Sequence, residues 1–186
     1  MITYTTVNDA AEIRQIIKLQ KENLPQSLSP EQITSQGFVT VVHSFHILKK
    51  MNKTEASIIA KDDDRVIGYL LAMTLHAKHD IPILFPMFEA FESIVYKGRK
   101  ISSYNYIVVG QVCIAEGYRG SGIFDNCYRF YKNNFKEKYD FAITEIHKSN
   151  KRSLKAHERI GFELIHSYKD SYGNQWEVVI WNWQNL

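Results

Sequence analysis

The chain has 186 residues, 45% hydrophobic and 23% charged, with a net charge of +3. That length fits one domain with a substantial core and argues against a second complete one. No long Lys/Arg run marks a nucleic-acid face, and no apolar run reaches membrane-spanning length. Met1-Ile2-Thr3-Tyr4 has no signal-peptide pattern, and Cys113 and Cys127 read as reduced, buried thiols, so a cytoplasmic protein is expected.

Alternation of β-branched residues predicts a strand over residues 2–7. Asn8 or Asp9 then caps a helix carrying Ala10, Ile13, Ile16, Ile17 and Leu19, with Glu12 placed as a capping-box partner. Pro25 closes that helix, Pro30 starts a short one, and a further helix is expected over 44–51. Strands over 56–61 and 65–75 flank Asp62-Asp63-Asp64, a solvated hairpin turn. A helical insertion around 83–95 places Leu84, Phe88, Phe91 and Val95 along one side. That stripe reads first as core; a wall of an acceptor pocket or a homodimer contact is the alternative.

A strand over 104–115 leads into a helix over 125–139, and a strand over 141–146 into a helix over 150–160 stopped by Gly161. A hairpin of 163–169 and 175–183 ends the chain. No repeats or linkers interrupt residues 1–186, which read as a single domain.

The junction Val112-Cys113-Ile114-Ala115-Glu116-Gly117-Tyr118-Arg119-Gly120-Ser121-Gly122-Ile123-Phe124 carries the most chemistry. The first N–H groups of a helix lack intrahelical partners, and the helix dipole adds partial positive charge there. Gly120 and Gly122 admit a ligand close to the backbone, and Arg119 adds a permanent cation. Strand, glycine turn and helix together suit a pyrophosphate. Lys148, Lys151, Arg152 and Lys155, on the later helix start, suit attraction of a phosphorylated ligand or simply a solvated surface.

Arg119-Gly120-Ser121-Gly122-Ile123-Phe124 resembles the acyl-CoA signature of the GNAT superfamily of N-acyltransferases, Arg/Gln-x-x-Gly-x-Gly/Ala. It departs only at Phe124, where the family has a small residue. Asn150-Lys151-Arg152-Ser153-Leu154-Lys155-Ala156-His157-Glu158-Arg159-Ile160-Gly161-Phe162 resembles the family's downstream Asn-x-x-Ala-x-x-x-Tyr-x-x-x-Gly-Phe.

The resemblance implies an α/β (α+β) fold: a mixed, mostly antiparallel sheet with a central splayed pair of parallel strands, flanked by helices. It implies transfer of an acetyl group from acetyl-CoA, as co-substrate and without a metal, directly to an amine acceptor. The co-substrate would lie on Val112, Cys113, Ile114, Arg119, Gly120, Ser121, Gly122, Ile123, Phe124, Asn150 and Ser153. Backbone N–H groups around Cys113 and Ile114 suit polarisation of the thioester carbonyl, because a splayed strand frees its donors.

His157 stands where many relatives have a Tyr that protonates the leaving thiolate. Imidazolium can donate a proton too, so His157 is the candidate general acid, with packing on an amphipathic helix as its plainer role. Gln111 and Glu116 lie on or beside the central strand and Glu145 on its neighbour. Gln cannot act as a base, Glu145 could do so directly or through water, and the sequence leaves the base open. A non-catalytic acyl-CoA-binding or sensory module is the alternative function, favoured by Phe124 and the missing Tyr. His43-x-x-His46 and His76-x-x-His79-Asp80 have helical spacing but lack the Glu of a metalloprotease motif. The aromatic insertion, Tyr69 and Trp176 point to a partly apolar acceptor pocket.

Overall fold

In the computed structural model, which describes residues 1–184, strand β1 (Ile2–Thr6) leads into helix α1 (Ala10–Glu22). Asp9 caps α1 by accepting the Glu12 N–H at 2.8 Å. Glu12 reaches back one residue further than a capping box does, accepting the Asn8 N–H at 2.8 Å. Helix α2 (Pro30–Gln36) starts in a complete capping box between Ser29 and Gln32. After an extended stretch over 38–43, α3 (Phe45–Thr54) is capped by Ser44.

Strands β2 (Ile58–Asp62) and β3 (Arg65–Met73) form the expected hairpin, with Asp63 at φ 51 in the turn. β3 stops two residues before the expected end, because Leu75–His79 winds into a 3-10 turn. β3 is buried from Val66 to Met73, so both its faces are covered, and α1 and α5 both pack on it. Helix α4 (Phe85–Ser93) and the small ribbon of β4 (Val95–Tyr96) and β5 (Arg99–Lys100) form the insertion. Phe88 and Phe91 are fully buried, which bears out the core reading of the stripe; Val95 is exposed and stands apart from it.

Strand β6 (Tyr106–Ile114), helix α5 (Ile123–Phe135), strand β7 (Phe141–His147), helix α6 (Lys151–Arg159) and strands β8 (Glu163–Lys169) and β9 (Gln175–Asn182) complete the chain. α5 starts two residues earlier than expected, at the residue after Gly122, and so takes Ile123 and Phe124 into its first turn.

The seven-stranded sheet runs β1-β2-β3-β6-β7-β9-β8 and is antiparallel except at β6–β7. That parallel pair holds register only from Tyr106↔Phe141 to Val108↔Ile143. Opposite Leu70 and Ala72 of β3, the partners on β6 are Val112 and Val109, so β6 carries an extra residue there. Such a bulge bends a strand and ends its pairing. β6 therefore leaves β7 after Val108, and the Thr144 hydroxyl donates to the Val109 carbonyl at 2.9 Å across the start of the gap.

Candidate active site

Two cavities open from this gap. The larger, about 690 Å³, lies between the glycine turn, α6 and the α2 segment. The smaller, about 80 Å³, lies between the diverging halves of β6 and β7. They share Phe38, Val39, Val112, Asn150 and Ser153, so the two form one passage.

The glycine turn forms the outer end. Gly120 and Gly122 have φ values of 79° and 81°, and a Cβ built on either meets nothing within 4 Å. Their Cβ positions are open space, left clear for a ligand rather than for packing. Gly122 is the N-cap of α5 and no side chain caps this helix, so its first N–H groups face the cavity mouth without a side-chain acceptor. Lys151, Arg152 and Lys155 line the same cavity. Donors, dipole and cations converge as a pyrophosphate requires, and the residues present fit acetyl-CoA.

Valine at position 122 would sit in the left-handed region at a cost of about 1–3 kcal/mol. Gly122→Val should lower the unfolding temperature modestly and weaken CoA binding by more than tenfold, as read by calorimetry.

Other expected contacts are distributed differently. Val112, Cys113, Ile114 and Phe124 line the larger cavity, whereas Ser121 and Ile123 do not. The Ser121 hydroxyl donates to the Tyr118 carbonyl at 2.6 Å, and Ile123 is buried. Ile123 can therefore serve a ligand only through its backbone, and the Ser121 proton is already committed. Arg119 lines the cavity but is not a loose cation. Its Nε donates to the Ile114 carbonyl at 2.9 Å, and its terminal nitrogens donate to Gln36 and Asn23, tying α1 and α2 to the turn.

Asn150 is also committed. It caps α6 by accepting the Ser153 N–H at 3.3 Å and donates to the Phe38 carbonyl at 3.1 Å. Burial pushes the Cys113 thiol up to about 12. It is therefore inert, as expected of a structural cysteine.

Phe124 and His157, the two departures from the family pattern, pack against each other. Their ring centroids lie 5.4 Å apart, edge to face, within a cluster completed by Tyr128, Phe162 and Trp181. The bulk of Phe124 is thus accommodated by the helix-to-helix contact.

His157 is buried and its imidazole is fully engaged. Nδ1 lies 2.8 Å from the Ser153 carbonyl, and Nε2 lies 2.6 Å from the Tyr128 hydroxyl. Burial pulls its pKa down to about 4. His157 also lines the smaller cavity, but an imidazolium general acid does not fit this environment, because burial disfavours the charged ring and both its nitrogens are already engaged. Helical spacing correctly aligned Asn150, Ser153 and His157, all of which line the smaller cavity, while the His157 ring also packs in the aromatic cluster.

Glu145 lies on the opposite side of the passage, in β7, and lines the smaller cavity. Burial raises its pKa to about 7, against the opposing effect of the Tyr168 hydroxyl, which donates to it at 2.5 Å. Gln111 lines the same cavity and is fixed at both ends. It accepts from Tyr69 at 2.6 Å and donates to the Val41 carbonyl at 2.9 Å.

The aromatic lining here comes from Phe38 and Trp176. The insertion contributes none of it, contrary to expectation, because Phe88 and Phe91 are spent in the core and Phe85 lies exposed outside this lining. Tyr168 and Phe38 carried no sequence signal, since each is brought in from a distant segment. Among the described residues, no group of three or more His, Cys, Asp or Glu is placed to hold a metal, and no helix is long and apolar enough to cross a membrane.

A parallel pair opened by a bulge, with a glycine-turn phosphate cradle at its mouth, defines an acyl-CoA transferase architecture. The sequence matches the acetyltransferase (GNAT) family over residues 14–162, and the chain belongs to that family. It is an acetyltransferase that takes its acetyl group from acetyl-CoA.

No curated protein matches the sequence. Among solved structures, the fold is similar to the ribosomal-protein-S18-alanine N-acetyltransferase from Escherichia coli, with a TM-score of 0.63 at 9% identity, covering 100% of this chain and 99% of that one. Arabidopsis thaliana NAA60 in complex with acetyl-CoA gives 0.61 at 14% identity, covering 98% and 99%. A chain of the NatC complex bound to Gag peptide and CoA gives 0.65 at 14% identity, covering 97% and 98%.

Proposed function

We propose that the protein is an N-acetyltransferase whose acceptor is a primary amine of a peptide or protein, and that Glu145 is the general base. The observation that carries this reading is the joined passage. A cradle for acetyl-CoA leads through Ser153 and Val112 to a smaller cavity with a carboxylate poised near neutrality.

An amine arrives mostly as ammonium and must lose a proton before it can attack. A buried carboxylate titrating near pH 7 is matched to that task. The amine nitrogen then bonds to the thioester carbonyl carbon, the C–S bond breaks, and its electron pair leaves on sulfur. Glu145 holds the proton the ammonium loses before attack, and the second nitrogen proton leaves to solvent water as the amide forms. Splayed β6 supplies backbone donors for the carbonyl oxygen.

The peptide class is favoured by the similar structures, which include an enzyme named for the alanine of a ribosomal protein and a complex holding a peptide. Cys113 and Ile114 at the end of β6, with Gly120, Gly122 and Lys155, are assigned to the co-substrate, and Phe38, Gln111 and Trp176 to the acceptor.

The test is thiol release from acetyl-CoA in the presence of an amine panel. Free-amine peptides are expected to accelerate release, and the same peptides blocked at that amine are expected to be silent. Acceleration only by small non-peptide amines would reassign the acceptor. Failure of CoA to bind at all would remove the reading.

A further inference from the structure

Both ring nitrogens of His157 are engaged, which leaves the leaving-group side of the reaction without the donor the family pattern supplies, and the residue one helical turn earlier is placed to supply it. We propose that the Ser153 hydroxyl is the hydrogen-bond donor to the departing CoA sulfur, with His157 and Tyr128 as positioning residues that aim it. This inference rests on the acetyl-transfer reading above and assigns a catalytic residue within it.

The tautomer of His157 follows from its partners. Nδ1 lies 2.8 Å from the Ser153 carbonyl, which can only accept, so Nδ1 carries the proton. Nε2 is therefore a lone pair and accepts from the Tyr128 hydroxyl at 2.6 Å. Both groups are buried, so this pairing is not exchanged for water.

The Ser153 Oγ lies 3.3 Å from the same Nδ1–H, on the proton-bearing side of the ring. A hydroxyl that faces an N–H presents its lone pair to it and turns its own proton elsewhere. For Ser153, elsewhere is the passage, because this residue is half-buried and lines both cavities. Behind Ser153 stand His157 and Tyr128. Glu145 and His147 line the smaller cavity from β7, and Lys151, Arg152, Lys155 and Arg159 are the cations on its own helix that line the larger one.

The step balances without a further reagent. The ammonium proton lost before attack goes to Glu145, and the second nitrogen proton, released as the amide forms, goes to solvent water in the passage. The electron pair of the broken C–S bond goes to sulfur, and Ser153 keeps its proton while donating a hydrogen bond to the thiolate. A serine hydroxyl is too weak an acid to protonate a thiolate outright, and as a donor it needs no proton transfer. The Phe124–His157 contact belongs to the same device, since Phe124 packs on the ring that orients Ser153.

The experiment uses CoA itself as probe and needs no acceptor. The ionisation of the bound CoA thiol is followed by ultraviolet absorbance of the thiolate across pH, in wild type, Ser153→Ala and Ser153→Thr. A hydrogen bond to a charged acceptor should hold the bound thiol about 1–2 pH units lower in wild type than in Ser153→Ala. Ser153→Thr, which keeps the hydroxyl, should retain the wild-type value. Calorimetry at a pH where the bound CoA thiol is protonated should detect CoA binding by all three proteins. A Ser153→Ala protein that binds CoA with unchanged thiol ionisation overturns the inference. Wild-type protein that does not bind CoA overturns the acetyl-transfer reading itself.

Discussion

Glu145→Gln should lower kcat by about 10²–10⁴-fold, the range a general base contributes, while leaving CoA affinity intact. Glutamine keeps the shape and can still meet the Tyr168 hydroxyl, so loss of folding is not the expected cause. The pH profile gives a second reading of the same group. Burial holds the Glu145 carboxyl up to about 7, so the base is protonated below that pH and available above it. Activity of the wild type should therefore rise as pH increases through about 7, and this limb should disappear in the variant. Tyr168→Phe removes a bond that favours the ionised form, and should move the limb to higher pH. A Gln variant with wild-type kcat at saturating acceptor would end the assignment.

Acidification should destabilise the fold through His157. Its folded pKa is depressed to about 4 by burial, against an ordinary value of 6.5. Between those values the unfolded chain binds the proton and the folded chain does not, so stability rises with pH across this window. The contribution is present in full above about pH 6.5 and is lost as pH falls through 4. It amounts to about 3 kcal/mol.

His43, also buried and held down to about 4, acts in the same direction. Glu145, with a raised pKa, acts in the opposite direction between its ordinary value and about 7. The His157 share is therefore read as a difference. Urea unfolding of wild type and His157→Gln at pH 7 and at pH 4.5 should show a markedly smaller pH-dependent loss in the variant. Equal losses would mean that His157 is protonated in the folded state, which would restore it as a candidate acid.

Both results bear on how much of this site could be read along the chain. The cradle was legible because its requirements are local. Gly120 and Gly122 lie two residues apart at positive φ, and the helix they open begins at the next residue, so spacing alone brought together the amides a phosphate needs. The cap of the first helix was legible for the same reason, as Asp9 shows, although Glu12 settled on Asn8 rather than on the cap residue.

The stripe of Phe88 and Phe91 was correctly read as core, since helical periodicity reports burial. What periodicity cannot report is which buried surface receives a side chain. His157 shares a helix face with Ser153, yet its ring is claimed by Tyr128, twenty-nine residues away in sequence. Arg119 carries a cation in the sequence, but in the fold it ties Asn23 and Gln36 to the turn.

By itself, then, the sequence determined the element order, the phosphate cradle and the acetyl-CoA family, because each rests on contacts within a few residues of one another. Only the tertiary structure decided where the strands part, through an extra residue in β6 that no local pattern marks. It also decided that Glu145 sits buried beside Tyr168, and that both ring nitrogens of His157 are engaged while Ser153 lines both cavities. Those outcomes depend on desolvation and on partners from distant segments, and both exist only once the chain has folded.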